Sequence, residues 1–310
     1  MRKVVMADPL PSWNDGEVKQ RILAFVQAVT NQSGPDYVPP PARIAVFDND
    51  GTLWSEQPLY IQLAFALDRV KALASQHPAW RTTQPFQAVL ENDQKALGAA
   101  GVKGLIQLVV TTHAGMTTDE FERILKDWFA SARHPRMNRP YTEMAFVPMV
   151  ELLGYLRSNG FETYIVSGGG IEFMRGISEQ MYGIPPEQVI GSSGKLQYEV
   201  RNGTPVMVRL PEIEYFDDKE AKPPAIQKFI GRRPIAAFGN SDGDLQMLQW
   251  TAAGAGRRLM VFVDHTDAKR EVEYRVSPMG RFEVGLQEAS ERGWTVVSMK
   301  DDWKRVFSFD

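Results

Sequence analysis

The sequence contains no cysteine. Disulfides, thiolate nucleophiles and cysteine-based metal centres are therefore excluded, while the redox compartment is left open. Histidine is scarce, with four in 310 residues, and no two are neighbours in sequence. A net charge of −3 provides no basic field of the kind that draws nucleic acid. No apolar run reaches the roughly 20 residues of a membrane span, and there is no internal repeat or low-complexity tract. The N-terminus, MRKVVMADPLPSW, starts basic but lacks the apolar segment of a complete signal peptide. The expectation is a cytoplasmic chain, or a periplasmic one if the residues before about Ala7 stand in for a leader. Oligomeric state is left open.

What is present is the composition of a folded protein, 43% hydrophobic and 24% charged. The length suits one large domain or two ordinary ones. Residues 1–40 read as a peripheral helix (EVKQRILAFVQAV) and a proline-rich linker. Ile44-Ala45-Val46-Phe47 is a short continuous apolar run, the pattern of a strand buried on both faces. Residues 56–146 turn helical. In TTDEFERILKDWFASA, Thr117 and Glu120 make a capping box, and Phe121, Ile124, Leu125, Trp128 and Phe129 form an apolar stripe. From 147 onward helices and strands alternate. They include ETYIVSGGG, a hairpin turning at Asn202-Gly203, AKPPAIQKFIG, PIAAFGNSDGD, RRLMVFVDHTD and WTVVSM. Such alternation predicts an α/β fold with a parallel sheet.

Several of these strands end in polar or glycine-rich turns. Asp48 and Asp50 follow the first, Ser167-Gly168-Gly169-Gly170 the second, and Asn240, Asp242 and Asp244 a later one. Ligands of open parallel sheets bind at the carboxyl ends of the strands, so these groups are expected to share one crevice. Two carboxylates two residues apart repel each other and resist burial unless a cation lies between them. With no cysteine and no paired histidine, an all-oxygen shell favours Mg2+. His265, in VDHTD, reads as a surface or supporting histidine.

The order and spacing of these segments over 43–248 resemble the haloacid dehalogenase superfamily on its phosphatase branch, closest in pattern to phosphoserine phosphatases. Asp48-Asn49-Asp50-Gly51-Thr52 matches the first motif, Ser167 the second and Lys222 the basic third, with Lys219 the alternative. Gly239-Asn240-Ser241-Asp242-Gly243-Asp244 matches the fourth, except that Asn240 stands where an acid is usual. The resemblance implies a Rossmann-like parallel-sheet core (41–55 and 147–310) with a helical cap of the C1 type (56–146) inserted after the first catalytic strand. The cap would hinge near Trp54–Gln57 and Ala145–Pro148. It implies hydrolysis of a small phosphomonoester through an aspartyl-phosphate on Asp48. Asp50 would act as acid and base, and Lys222 would steady Asp48. Mg2+ would be held by Asp48, the Asp50 carbonyl, Asn240 and Asp244, with Asp242 as a substitute for Asn240. Thr52, Ser167, Gly168 and Gly169 would bind phosphate. Trp54 and Glu56 would touch the rest of the substrate, a small phosphorylated metabolite. Transfer to an alcohol acceptor, or a non-catalytic phosphate- or metal-binding module, stays open. Glu56 lies one residue short of the position at which phosphoserine phosphatases hold an amine, so phosphoserine itself is not expected. On sequence grounds, Asn240→Asp should strengthen cation binding.

Overall fold

The computed structural model describes residues 8–276 and 280–310. Ile44–Phe47 forms strand β1, and its unbroken apolar character has a simple cause. It lies between two parallel neighbours, β2 (Glu162–Gly170) and β5 (Ala236–Gly239), with all four residues buried. The remaining strands are β3 (Val189–Arg201), β4 (Thr204–Tyr215), β6 (Leu259–Asp264) and β7 (Thr295–Ser298). They form one sheet in the order β4-β3-β2-β1-β5-β6-β7. The sheet is mixed, not wholly parallel: β4 runs antiparallel to β3 at one edge. Their turn is the expected pair, with Asn202 and Gly203 both at positive φ (51° and 78°), which matches the twist of the two strands.

Helix α1 (Glu17–Thr30) precedes the sheet. Between β1 and β2 come α2 (Ile61–Leu73), α3 (Phe86–Glu91), α4 (Gln94–His113), α5 (Thr118–Ser131) and α6 (Val147–Ser158). The Thr117–Glu120 capping box opens α5 as its sequence predicts. Crossover helices α7 (Ile171–Tyr182), α8 (Lys222–Phe229), α9 (Leu245–Ala252) and α10 (Val284–Arg292) then alternate with strands, and α11 (Met299–Asp302) follows β7. This is an α/β Rossmann-like core with an inserted helical cap. The two chain segments joining core and cap run side by side: Phe146 N donates to Leu53 O (2.9 Å) and Ser55 N to Met144 O (3.1 Å).

One large apolar core covers the first face of the sheet and continues into the cap, where Phe65, Phe121, Leu125 and Phe129 join Phe173 of α7. A smaller cluster within 63–108, including Val70, Trp80, Phe86 and Leu108, belongs to the cap alone. Residues 8–30 are not peripheral. Leu10, Trp13, Ile22, Phe25, Val26 and Val29 are buried in the main core, and Trp13 meets Trp303 edge to face. The apolar face of α1 is therefore a core face, not an isolated stripe. Arg209 of β4 fastens the hairpin to the cap. Its Nε donates to His113 O (2.9 Å), its guanidinium lies 4.3 Å from the centre of the Phe121 ring, and it ion-pairs with Glu172 of α7.

Candidate active site

The carboxyl end of β1 gives way to Asp48-Asn49-Asp50-Gly51. Gly51 has φ +77°, and a Cβ there would lie 2.1 Å from Asn240 Nδ2 and 2.9 Å from Glu56 Cδ. Both conformation and space require glycine. This turn brings the first and fourth motifs together.

Lys222, at the start of α8, is buried between two carboxylates. Its Nζ is 2.8 Å from Asp48 Oδ1 and 2.6 Å from Asp244 Oδ1. Burial opposes its charge, but Asp244 and Asp48 outweigh that and raise its pKa. Burial, with Asp244 nearby, pushes Asp48 well above the usual carboxylate range, and Lys222 pulls the other way. Lys222 is thus the basic residue at Asp48; Lys219 is exposed.

Asp50 is partly buried, and desolvation raises it to about 6, while its bond from Trp54 lowers it. Trp54 Nε1 donates to Asp50 Oδ1 at 2.8 Å. Expected as a wall of the substrate pocket, Trp54 is fully buried and instead orients the Asp50 carboxylate. Asp50 Oδ2 faces the glycine-rich end of β2: a Cβ on Gly169 would come within 3.4 Å of it. There Ser167 Oγ accepts from Gly169 N (3.2 Å), and Gln62 of the cap reaches Gly170 N (2.7 Å). Gly168 lies beside Asp218. The second motif is therefore in place against the first, with the cap touching it.

The fourth motif departs from expectation in detail. Asp244 has both oxygens engaged, Oδ1 with Lys222 and Oδ2 with the backbone N of Asn240 (2.9 Å) and Ser241 (3.1 Å). It orients the lysine and the turn. Asp242 points the other way and accepts from Gly285 N at the start of α10 (2.7 Å), which removes it as a substitute for Asn240. Thr52 is fully buried, and its hydroxyl bonds Asn240 Oδ1 (3.1 Å). Asn240 Nδ2 bonds Glu56 Oε1 (3.3 Å).

Glu56 is buried in a network that sequence reasoning missed. Tyr274 OH donates to its Oε1. His265, also buried, sets Nε2 2.8 Å from Gly51 O and Nδ1 3.0 Å from Glu271 Oε2. Ser55 Oγ bonds the other oxygen of Glu271 (3.2 Å). Burial opposes a charged His265, but Glu271 outweighs it and the histidine is raised, which lets both ring nitrogens donate. Burial raises Glu56 to about 7, against the pull of His265. These residues come from segments about 210 positions apart, and only His265 follows a recognisable strand end.

Among the described residues, no group of three or more histidine, aspartate or glutamate side chains is arranged to hold a metal ion. No helix of the described residues is long and apolar enough to cross a membrane.

Residues 45–249 match the model of the haloacid dehalogenase-like hydrolase family. The chain belongs to that family. The HAD match ends before His265, Glu271 and Tyr274, so these three members of the network lie outside it, while Ser55, Glu56 and Asn240 lie within. Among curated proteins none matches. Among solved structures, the HAD chain is similar to a conserved functionally unknown protein from Anaerococcus prevotii DSM 20548, at 15% identity over 94% of each chain with a TM-score of 0.58. It is also similar to a protein with unknown function from Bordetella pertussis Tohama I, at 17% identity over 83% of this chain and 98% of that one, with a TM-score of 0.51. At these identities both likenesses speak for the HAD fold alone.

Proposed function

We propose that the protein is a phosphatase that hydrolyses a small phosphomonoester through an aspartyl-phosphate on Asp48. The observation that carries this is the pairing of Asp48 with the buried Lys222 at the end of β1, with Asp50 held two residues on. Asp48 Oδ attacks phosphorus and the bond to the ester oxygen breaks. Protonated Asp50 gives its proton to the departing oxygen. A water then attacks the phosphorus, Asp50 takes a proton from it, and the bond to Asp48 breaks to release phosphate. Lys222 keeps Asp48 oriented and offsets negative charge as the phosphoryl group transfers. Ser167 and the Gly168 amide hold the phosphate oxygens, with the Gly169 amide orienting the Ser167 hydroxyl.

The donor chemistry fits a hard cation with a reduced ligand set. Asp48, the Asp50 carbonyl and the Asn240 amide oxygen would hold Mg2+, and Asp244 is committed to Lys222. Bound there, Mg2+ would neutralise phosphate charge. Residues 56–146 would act as the cap, with Gln62 presented to the phosphate cradle from that side. Hydrolysis of a chromogenic phosphomonoester with Mg2+, and its loss in EDTA, tests the activity. Asp48→Asn should fold normally by circular dichroism and lose activity. A variant retaining more than a few per cent of the wild-type rate would remove Asp48 as nucleophile.

A further inference from the structure

The fourth motif carries an amide where an acid is usual, and the structure offers a reason. Asn240 Nδ2 lies 3.3 Å from Glu56 Oε1, and both side chains are buried. A carboxylate at 240 would set two acidic groups against each other without solvent between them. The space is also fixed, because both side chains press against Gly51, where no Cβ fits. Glu56 cannot easily withdraw. Tyr274 OH donates to the same oxygen, and His265 lies close enough to influence its charge. A carboxylate next to an amide accepts only from its NH2 group. Glu56 therefore decides which way round the Asn240 amide sits, and leaves Oδ1 facing Thr52 and the catalytic turn.

We propose that Glu56 and Asn240 are a matched pair, in which Glu56 supplies from the cap connection the negative charge missing from the fourth motif and fixes Asn240 Oδ1 toward the catalytic turn. Glu56 is a positioning residue that acts through Asn240. The substrate contact expected from its sequence position is replaced by this role. The expected effect of Asn240→Asp also reverses: with Glu56 present the acid is harmful. The charge can instead be exchanged: Asn240→Asp combined with Glu56→Gln again sets one carboxylate against one amide across the same contact. The consequence for Mg2+ rests on the proposed phosphatase reading; the coupling itself does not.

The test is a double-mutant cycle of Asn240→Asp, Glu56→Gln and the double variant, in the full-length protein. Urea unfolding in EDTA at pH 8 reads the pair without metal or turnover. Asn240→Asp should lower the folded-to-unfolded ratio at least tenfold, and the double variant should return to within about threefold of wild type. If Asn240→Asp does not fold but the double variant does, the coupling is equally established. The Mg2+ concentration for half-maximal hydrolysis should rise at least tenfold in Asn240→Asp and return in the double variant. The pairing is overturned if Asn240→Asp matches wild type in both measurements. It is also overturned if the double variant is as impaired as the two single effects combined, or fails to fold. A clear stability coupling in a protein with no Asp48-dependent hydrolysis would sink the phosphatase reading and leave the pair standing. Hydrolysis with additive stabilities would do the reverse.

Discussion

Replacing Lys222 by Met tests the electrostatics at the centre of the site. The lysine is the shared partner of two buried carboxylates, Asp48 and Asp244. Removing one partner of a buried ion pair typically destabilises by roughly 3–5 kcal/mol, because a charge is left uncompensated. Here two carboxylates lose their cation, and each can escape only by taking up a proton. For a carboxylate with an unfolded pKa of about 3.9, protonation at pH 8 costs roughly 5–6 kcal/mol, against about 1.5 kcal/mol at pH 5. Carboxylates with folded pKa values raised above their unfolded ones lose stability as pH rises between the two. Lys222→Met should therefore fall short of wild type by about 5 kcal/mol at pH 8, shrinking to about 2 kcal/mol at pH 5. Urea unfolding followed by circular dichroism in EDTA measures both. Exposed Lys219→Met, the control, should stay within about 0.5 kcal/mol of wild type. A Lys222→Met deficit under about 1 kcal/mol at pH 8, or one that grows toward pH 5, would refute the reasoning.

Two further predictions concern other acids. Trp54→Phe removes the indole bond to Asp50 Oδ1, so Asp50 should rise above about 6. The alkaline limb of kcat/KM for an ester with a poor leaving group should then move up by about one pH unit, and an unmoved or lowered limb would exclude Asp50 as the proton donor. Asp217 is buried with both carboxylate oxygens unpartnered, and burial raises it to about 7. Its folded pKa exceeds the unfolded value, so it weakens the fold increasingly from about pH 4 to 7. Asp217→Asn should match wild type near pH 4 and exceed it by about 4 kcal/mol at pH 8, measured by urea unfolding; equal stability at both pH values would refute this.

The parts of the site legible in the sequence are those made by neighbouring residues. Asp48 and Asp50 share one turn, Ser167 through Gly170 one strand end, and the Asn202-Gly203 hairpin is specified by two residues able to take positive φ. Lys222 is legible because it opens a short helix at Pro-Pro. Partners joined only by folding are not legible. Trp54 looks like a pocket wall until its indole is found on Asp50. Glu56 looks like a substrate contact until Tyr274, 218 residues on, is found against it. His265 and Glu271 form a pair whose target, Gly51 O, lies 214 residues earlier. The apolar face of α1 shows that a core exists but not which core, so its burial among Phe161, Trp303 and their neighbours could not be read from periodicity.

The continuity of the main core into α5 bears on how anything enters or leaves. Parting α5 and the start of α2 from α7 would wet Phe65, Phe121, Leu125, Phe129 and Phe173, all buried. At roughly 1.5–3 kcal/mol for each large apolar side chain, that exposure amounts to about 8–15 kcal/mol. The whole stability of an ordinary domain is about 5–15 kcal/mol. Along this seam, a breathing motion wide enough to admit a molecule would be indistinguishable from melting. Hydrogen exchange should therefore find the amides of α5 among the slowest in the chain, while α3 and the first part of α4, up to Leu108, rest on their own small cluster, exchange through cheaper local openings and provide the doorway.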